Sequence, residues 1–366
     1  MRKFAFLRCL FLMGLALVFA PTLLIAGDGS FLESLNNITQ VASTVPSNGD
    51  QNPYGVAVVP ASVGSLIRGH VLVSNFNNRK NLQGTGTTIM DIAPDGTARV
   101  FADIDAKKLP GPCPGGVGLT TALTVLKKGW VIVGSLPTAD GTAATAQAGC
   151  LLVVNSSGQV AETFSGSPIN GPWDMTAVDA GDTAALFVTN VLNGTVAANG
   201  NVVNEGTVVR IELSVPDAGL PIPESTTIVA SGFPERTDPA ALVIGPTGVA
   251  VGGSTLYVAN TLDSSIAAIS KALTRGTTAG TGTLVSTGEA INGPLGLAIA
   301  PNRNILTTNG GDGNIVETTP NGKQVAIKGI DTSGQGAGTL FGLAVVSDGS
   351  GIYFVDDGNN TLNLVH

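Results

Sequence analysis

Apolar and polar residues alternate in short runs along most of the chain, and the runs return in a fixed order. Val56-Ala57-Val58 precedes Val71-Leu72-Val73-Ser74-Asn75, Val249-Ala250-Val251 precedes Leu256-Tyr257-Val258-Ala259-Asn260, and Leu297-Ala298-Ile299 precedes Ile305-Leu306-Thr307-Thr308-Asn309. Alternation with a period of about two predicts strands with one face turned to each side, and it excludes a run of helices with their period of about 3.6. The first strand of each pair opens on Pro, a variable residue and Gly: Pro53-Tyr54-Gly55, Pro246-Thr247-Gly248 and Pro294-Leu295-Gly296. A last unit lacks the proline, with Phe341-Gly342-Leu343-Ala344-Val345 before Ile352-Tyr353-Phe354-Val355-Asp356. Two units are degenerate, one running through Thr121-Ala122-Leu123 to Gly134-Ser135 and one through Pro172-Trp173-Asp174 to Thr189-Asn190.

Two further short strands follow in each unit, as in Asn314-Ile315-Val316-Glu317 and then Gln324-Val325-Ala326-Ile327. Four short strands separated by turn residues make a propeller blade. The anchors at positions 55, 122, 174, 248, 296 and 342 are spaced by 67, 52, 74, 48 and 46 residues, a propeller period wherever loops are not enlarged. The last unit ends at His366 after three strands, and Ile38–Val45 supplies the missing outer one. The predicted fold is all-β: a six-bladed β-propeller of four-stranded antiparallel blades over 38–366, closed by that N-terminal strand. A β-sandwich would leave the recurring Pro-x-Gly anchors unexplained.

These units resemble NHL-repeat propellers, on the strength of the Pro-x-Gly-(Val/Leu)-Ala-(Val/Ile) strand followed by a Tyr-Val-Ala-Asn type strand. The resemblance covers most of 38–366 and implies architecture more than activity. Similar six-bladed propellers include calcium-dependent lactonases, lyases, quinone-dependent dehydrogenases and plain binding modules, and a fold alone does not choose among them.

Composition narrows the class. With 43% hydrophobic residues the chain can build a core. A net charge of −8 with only 18 Lys and Arg disfavours nucleic acid as a partner. Arg2 and Lys3, then the apolar run Leu10–Ala20, Pro21 and Ala26 before Gly27-Asp28-Gly29, read as a signal peptide over 1–26 followed by a lead-in over 27–37. Export to the periplasm or the medium follows, with no membrane span after cleavage. Removal of Cys9 leaves Cys113 and Cys150, an even pair that suggests a disulfide in an exported protein. The pair falls in the second blade, where a bond would tie the 136–148 loop over the loop leading into that blade.

The second-to-third strand loops of the first three blades are long, at 76–86, 136–148 and 191–205, so one face is built up on half its circumference. Loops on a rigid scaffold often carry binding residues, but Gly/Thr/Asn-rich insertions are also tolerated at no function. The residues before the anchors face the channel: Tyr54, Thr121, Trp173, Thr247, Leu295 and Phe341. Tyr54, Trp173 and Phe341, with Asp174 replacing the anchor glycine beside Trp173, are the candidate ligand-binding residues, an aromatic set with one carboxylate suiting a sugar or a cation. Packing of Trp173 under the neighbouring loops is the competing role. The second strands end at Asn75, Ser135, Asn190, Asn260, Asn309 and Asp356. Such a recurring short polar residue suits the turn that follows; as oxygen donors, Asp174, Asn190, Asn260, Asn309 and Asp356 could instead surround a calcium ion.

Histidine is confined to His70 and His366, which weakens mechanisms built on a His base or a His-bound zinc. No phosphate loop, Gly-x-Ser-x-Gly elbow or Cys-His pair is present. Two readings stand. The first is an exported binding scaffold that requires no cofactor and takes a small molecule, a glycan or a protein on its elaborated face. The alternative is a calcium-assisted hydrolase of lactonase type with its site at the channel mouth.

Overall fold

The computed structural model describes Met1 and residues 29–366; the expected leader over 1–26 falls outside these apart from Met1. Among the described residues, six antiparallel sheets follow one another around a ring. The first blade runs Gln51–Val58, Val71–Asn77, Thr88–Ile92 and Ala98–Asp103, and the second Leu119–Val125, Val131–Ser135, Cys150–Val154 and Val160–Phe164. Blade three is Pro172–Asp179, Thr183–Asn190, Val203–Ser214 and Ile222–Asp238. Blades four and five begin at Pro246–Gly252 and Pro294–Ile299. In blade six, Leu340–Val345, Ile352–Asp356 and Thr361–Val365 are completed by the N-terminal strand Ile38–Ser43, whose Ile38 pairs with Val365 and Ser43 with Thr361. The all-β six-bladed ring and its closure are therefore as the alternation predicts. Closure matters because an unpaired outer edge would offer its N–H and C=O groups to other chains.

The anchor glycines have a steric reason. A Cβ on Gly248, Gly296 or Gly342 would stand 2.2–2.3 Å from the carbonyl oxygen of Leu295, Phe341 or Tyr54 in the next blade, so inner strands can approach this closely only at glycine. Hydroxyls bind the same seams: Ser74 Oγ donates to Thr120 O at 2.7 Å, Thr189 Oγ1 to Thr247 O at 3.0 Å, Thr308 Oγ1 to Phe341 O at 2.7 Å, and Thr121 Oγ1 to Trp173 O. Thr121 and Thr247, expected at the channel, thus spend their hydroxyls on neighbouring blades, Thr247 donating to Pro294 O at 3.0 Å.

Two features depart from the expected outline. Blade three has an outer strand of 17 residues, and its end turns back to pair with Leu242–Ile244 as a fifth strand. The loop 191–205 carries the short helix Thr195–Ala198. Among the described residues no helix is long and apolar enough to cross a membrane.

Ahead of the ring, Ser30, Phe31 and Leu32 are held by Glu317 of blade five. Its carboxylate accepts the hydroxyl of Ser30 at 2.7 Å, the N–H of Phe31 at 3.0 Å and of Leu32 at 2.7 Å, and the amides of Asn302 and Asn304. Cys113 and Cys150 are joined by a disulfide, as expected from their even count and shared blade. His70 lies with Asp91 at 2.8 Å, and Arg99 closes on the same carboxylate at 2.6 Å, a structural cluster within blade one.

Candidate ligand site at the channel mouth

Of the residues before the anchors, the three aromatic ones meet one another around Phe76. Tyr54 is sandwiched between Phe341 and Phe76, with ring centroids 3.8 and 4.5 Å away. Trp173 meets Tyr54 and Phe76 edge-on at 5.9 and 5.6 Å. Tyr54, Trp173 and Phe341 are only 1%, 2% and 6% exposed. They form a plug across the channel more than a free binding surface, and the packing role weighed for Trp173 is the one its burial supports.

The plug separates two cavities. One, of about 450 Å³, opens on the face of the long loops and has Tyr54, Trp173, Leu295 and Phe341 as its floor. The other, of about 340 Å³, lies on the opposite side among the inner strands and is lined by Asp174. Trp173 and Asp174 do not share a cavity, because successive residues of a strand point to opposite faces. Asp174 is a clamp between blades: its Oδ1 accepts Met175 N–H at 2.8 Å and its Oδ2 accepts Val249 N–H at 3.1 Å. Burial pushes its pKa up to about 7, against these two hydrogen bonds.

The walls of the upper cavity are carboxamides. Asn52, Asn77 and Gln83 of blade one line it, and each has a buried side-chain oxygen without a partner: Asn52 Oδ1, Asn77 Oδ1 and Gln83 Oε1. The nitrogens of two are engaged, Asn77 Nδ2 with Asn81 Oδ1 at 2.7 Å and Gln83 Nε2 with Ala240 O at 2.6 Å. The second contact joins the blade-one loop to the turn before the extra strand Leu242–Ile244, across the mouth. Asp357 supplies the one carboxyl group in this lining, which has no Lys, Arg or His. Burial, then the nearby charges of Asp356 and Asp331, raises its pKa to about 7. Burial and Asp357 together also push the Tyr54 phenol well above its ordinary range.

The carboxamide lining and Asp357 are absent from the sequence-derived set, although Asp357 carried a signal. The residue after each recurring Asn, Ser or Asp of the second strands is Phe76, Leu136, Val191, Thr261, Gly310 and Asp357, and only the last is charged.

The five proposed calcium ligands are spread over blades three to six, and their oxygens are engaged locally. Asn190 Oδ1 accepts Asn170 N–H at 3.1 Å, Asn260 Oδ1 accepts Leu262 N–H at 3.0 Å, and Asn309 Oδ1 accepts Asn292 N–H at 3.2 Å. Asp356 accepts from Gly358 N–H at 3.0 Å and from the N–H and hydroxyl of Thr332 at 2.8 and 2.7 Å. Asp174, on the other side of the plug, accepts two N–H groups as described. These contacts fit the turn role and do not fit a shared calcium ion. Among the described residues no group of three or more Asp, Glu, His or Cys is gathered as a metal site.

No family model matches the chain, and no curated protein does. Solved structures do. The chain is 14% identical to the calcium-binding protein regucalcin of Agrobacterium tumefaciens (TM-score 0.57; 89% of this chain and 93% of that one). It is 14% identical to a gluconolactonase of Xanthomonas campestris (TM-score 0.52; 89% and 88%). It is 16% identical to an aldose sugar dehydrogenase of Streptomyces coelicolor in its PQQ-bound form (TM-score 0.54; 90% and 97%). At these identities the likeness carries the six-bladed fold alone. It refines the NHL resemblance: the ring is shared, but the matched structures are propellers of lactonase, regucalcin and dehydrogenase type and not specifically NHL repeats.

Proposed function

We propose that the protein binds a small, uncharged, polyhydroxylated molecule, of sugar or sugar-lactone class, in the upper cavity. One observation carries the reading: three carboxamide residues, Asn52, Asn77 and Gln83, line a single cavity with an aromatic and aliphatic floor. A carboxamide offers two donors and an acceptor, the complement of a ligand hydroxyl. Hydroxyls supply donors in number, and sugar rings present an apolar face to aromatic edges. With no basic side chain in the lining, phosphates and carboxylates gain nothing there. Sugar-derived ligands also feature in the names of two solved neighbours, which supports the class and not the activity. An exported location, periplasmic or extracellular, belongs to the same reading and rests on the leader pattern and the disulfide.

The test is calorimetric titration with neutral monosaccharides, disaccharides and aldonolactones, on wild type and on Asn77→Ala and Asn52→Ala. Saturable binding that weakens at least about tenfold in both variants, the worth of one good hydrogen bond each, supports the reading. Binding of none of these compounds, or binding unchanged in both variants, ends it.

A second reading is hydrolysis at the same place, favoured by Asp357 with a pKa of about 7 in the cavity wall. In that form Asp357 takes a proton from water as it attacks a lactone carbonyl, and returns it to the departing alkoxide as the ring opens. A general base whose pKa lies near working pH contributes roughly 10²–10⁴-fold. Lactone hydrolysis lost to that extent in Asp357→Asn, with binding retained, would establish it; an unchanged rate would leave binding alone.

A further inference from the structure

The lower cavity, of about 340 Å³, is walled by the inner strands of the blades. Consecutive residues line it, as at 56–58, 123–125, 174–177 and 249–251. Successive side chains of a strand point to opposite faces, so it is the edges of these strands that border the space. Each inner strand has a hydrogen-bonded neighbour on one side only, and its other edge turns free N–H and C=O groups to the channel. The side chains between these edges are mostly aliphatic, with Val58, Val125, Val251 and Ile299 among them. Asp174 is the one ionisable residue in the lining.

Asp174 also breaks the rule of its own repeat. Blades one, four, five and six have glycine at the anchor, and in the last three of these a Cβ would press on the neighbouring blade's carbonyl. Blade three alone places a charged side chain there. A departure from a locally enforced rule is expected where function demands it. The clamp to Met175 N–H and Val249 N–H uses one acceptor site on each oxygen, out of about four that a carboxylate offers. Trp173 and Met175 on either side are buried, whereas Asp174 keeps accessible surface, and the lower cavity is where it opens. Among the described residues Asp174 forms no salt bridge, and no Lys, Arg or His lines the cavity. Its raised pKa is that of a carboxyl enclosed without a counter-ion; a cation beside it favours the ionised form.

We propose that the lower cavity binds a small primary alkylamine, with the ammonium on Asp174 and the aliphatic chain lying along the channel. An ammonium brings a full positive charge and three N–H donors. One donor meets the carboxylate, and the others suit carbonyls of the open strand edges. The chain covers the aliphatic side chains between those edges. An anion gains nothing beside Asp174, and a hard metal ion wants about six to eight oxygens, commonly from several carboxylates. The site lies across the aromatic plug from the sugar cavity, so it stands or falls independently of the proposed sugar binding.

The experiment is NMR-detected titration of the purified protein with n-hexylamine, and with n-hexanol and hexanoate as probes of the same length. It is run at about pH 8, where Asp174 is mostly ionised and the amine is charged. Saturable binding of one hexylamine per chain, with a Kd on the order of 1 mM or tighter, is the expected result. Hexanol should bind at least about tenfold more weakly, the worth of a hydrogen bond to a charged group, and hexanoate not at all. Butylamine should bind more weakly than hexylamine, by up to about fourfold for each buried methylene lost. Asp174→Asn should weaken hexylamine at least about tenfold and leave hexanol unchanged. Asp174→Gly, which gives blade three the anchor of its neighbours, should do the same and serves if the asparagine variant does not fold. The proposal is overturned if hexylamine shows no saturable binding, if hexanol or hexanoate binds as tightly, or if hexylamine affinity is unchanged in a folded Asp174 variant.

Discussion

Trp173 and Asp174 are consecutive in the chain and line opposite cavities: Trp173 floors the upper cavity within the aromatic plug, and Asp174 reaches across the lower one to accept the N–H of Val249 in the next blade. The pair is therefore a packing residue beside an inter-blade clamp, not an aromatic with a carboxylate on one ligand.

Because Trp173 is 2% exposed and edge-on to both Tyr54 and Phe76, Trp173→Ala should lose about 3–5 kcal/mol of stability, the range for removing a large core aromatic. Urea unfolding beside wild type measures it. A loss below about 1 kcal/mol would return Trp173 to the role of a surface anchor.

Asp357 carries a pH signature. Its folded pKa of about 7 stands above the ordinary carboxylate value, so the folded state holds its proton more tightly than the unfolded chain. Between about pH 4 and 7 this group therefore makes stability fall as pH rises, and above pH 7 the loss is complete. Asp357→Asn removes the ionisation. It should gain on the order of 1–3 kcal/mol over wild type at pH 8 and nothing at pH 4. An equal difference at both pH values would remove burial as the cause.

Glu317 works with the opposite sign. Burial opposes its charge, but hydrogen bonds from Ser30, Asn302, Leu32 and Asn304 outweigh it and hold the pKa below the ordinary value. Its contribution is present above about pH 4.3 and disappears as pH falls through the lower, folded value. Glu317→Gln should destabilise by about 1–3 kcal/mol at pH 7, the cost of weakening charge-assisted bonds, and should free Ser30–Leu32. Hydrogen exchange at Phe31 and Leu32, fast in the variant and slow in wild type, checks the second part.

Ring closure and the disulfide are separately testable. A chain beginning after Val45 lacks the strand that pairs with Thr361–Val365 and should aggregate or melt well below wild type. The Cys113–Cys150 bond spans 37 residues. In the chain-entropy account its loss in the Cys113→Ser, Cys150→Ser double variant costs about 3–4 kcal/mol. Unchanged unfolding midpoints in either variant would contradict these roles.

The sequence by itself determined the ring. Each anchor glycine repeats because each inner strand meets its neighbour's carbonyl at the same close distance, and a steric demand made in every blade leaves a periodic trace. The strand-end Asn and Asp residues repeat for the same reason, since each blade needs that turn. The closing strand Ile38–Ser43 was legible because three C-terminal strands leave one edge unpaired, and the disulfide because only two cysteines lie beyond residue 26. The candidate site has no such trace. Asn52, Asn77 and Gln83 face Asp357, from the far end of the chain, only because the first and last blades are neighbours in the closed ring. Whether Tyr54 and Trp173 bind or pack depended on which rings stack on them. What recurs in every blade is written in the period of the chain; what occurs once, where distant segments converge, was decided by the tertiary structure.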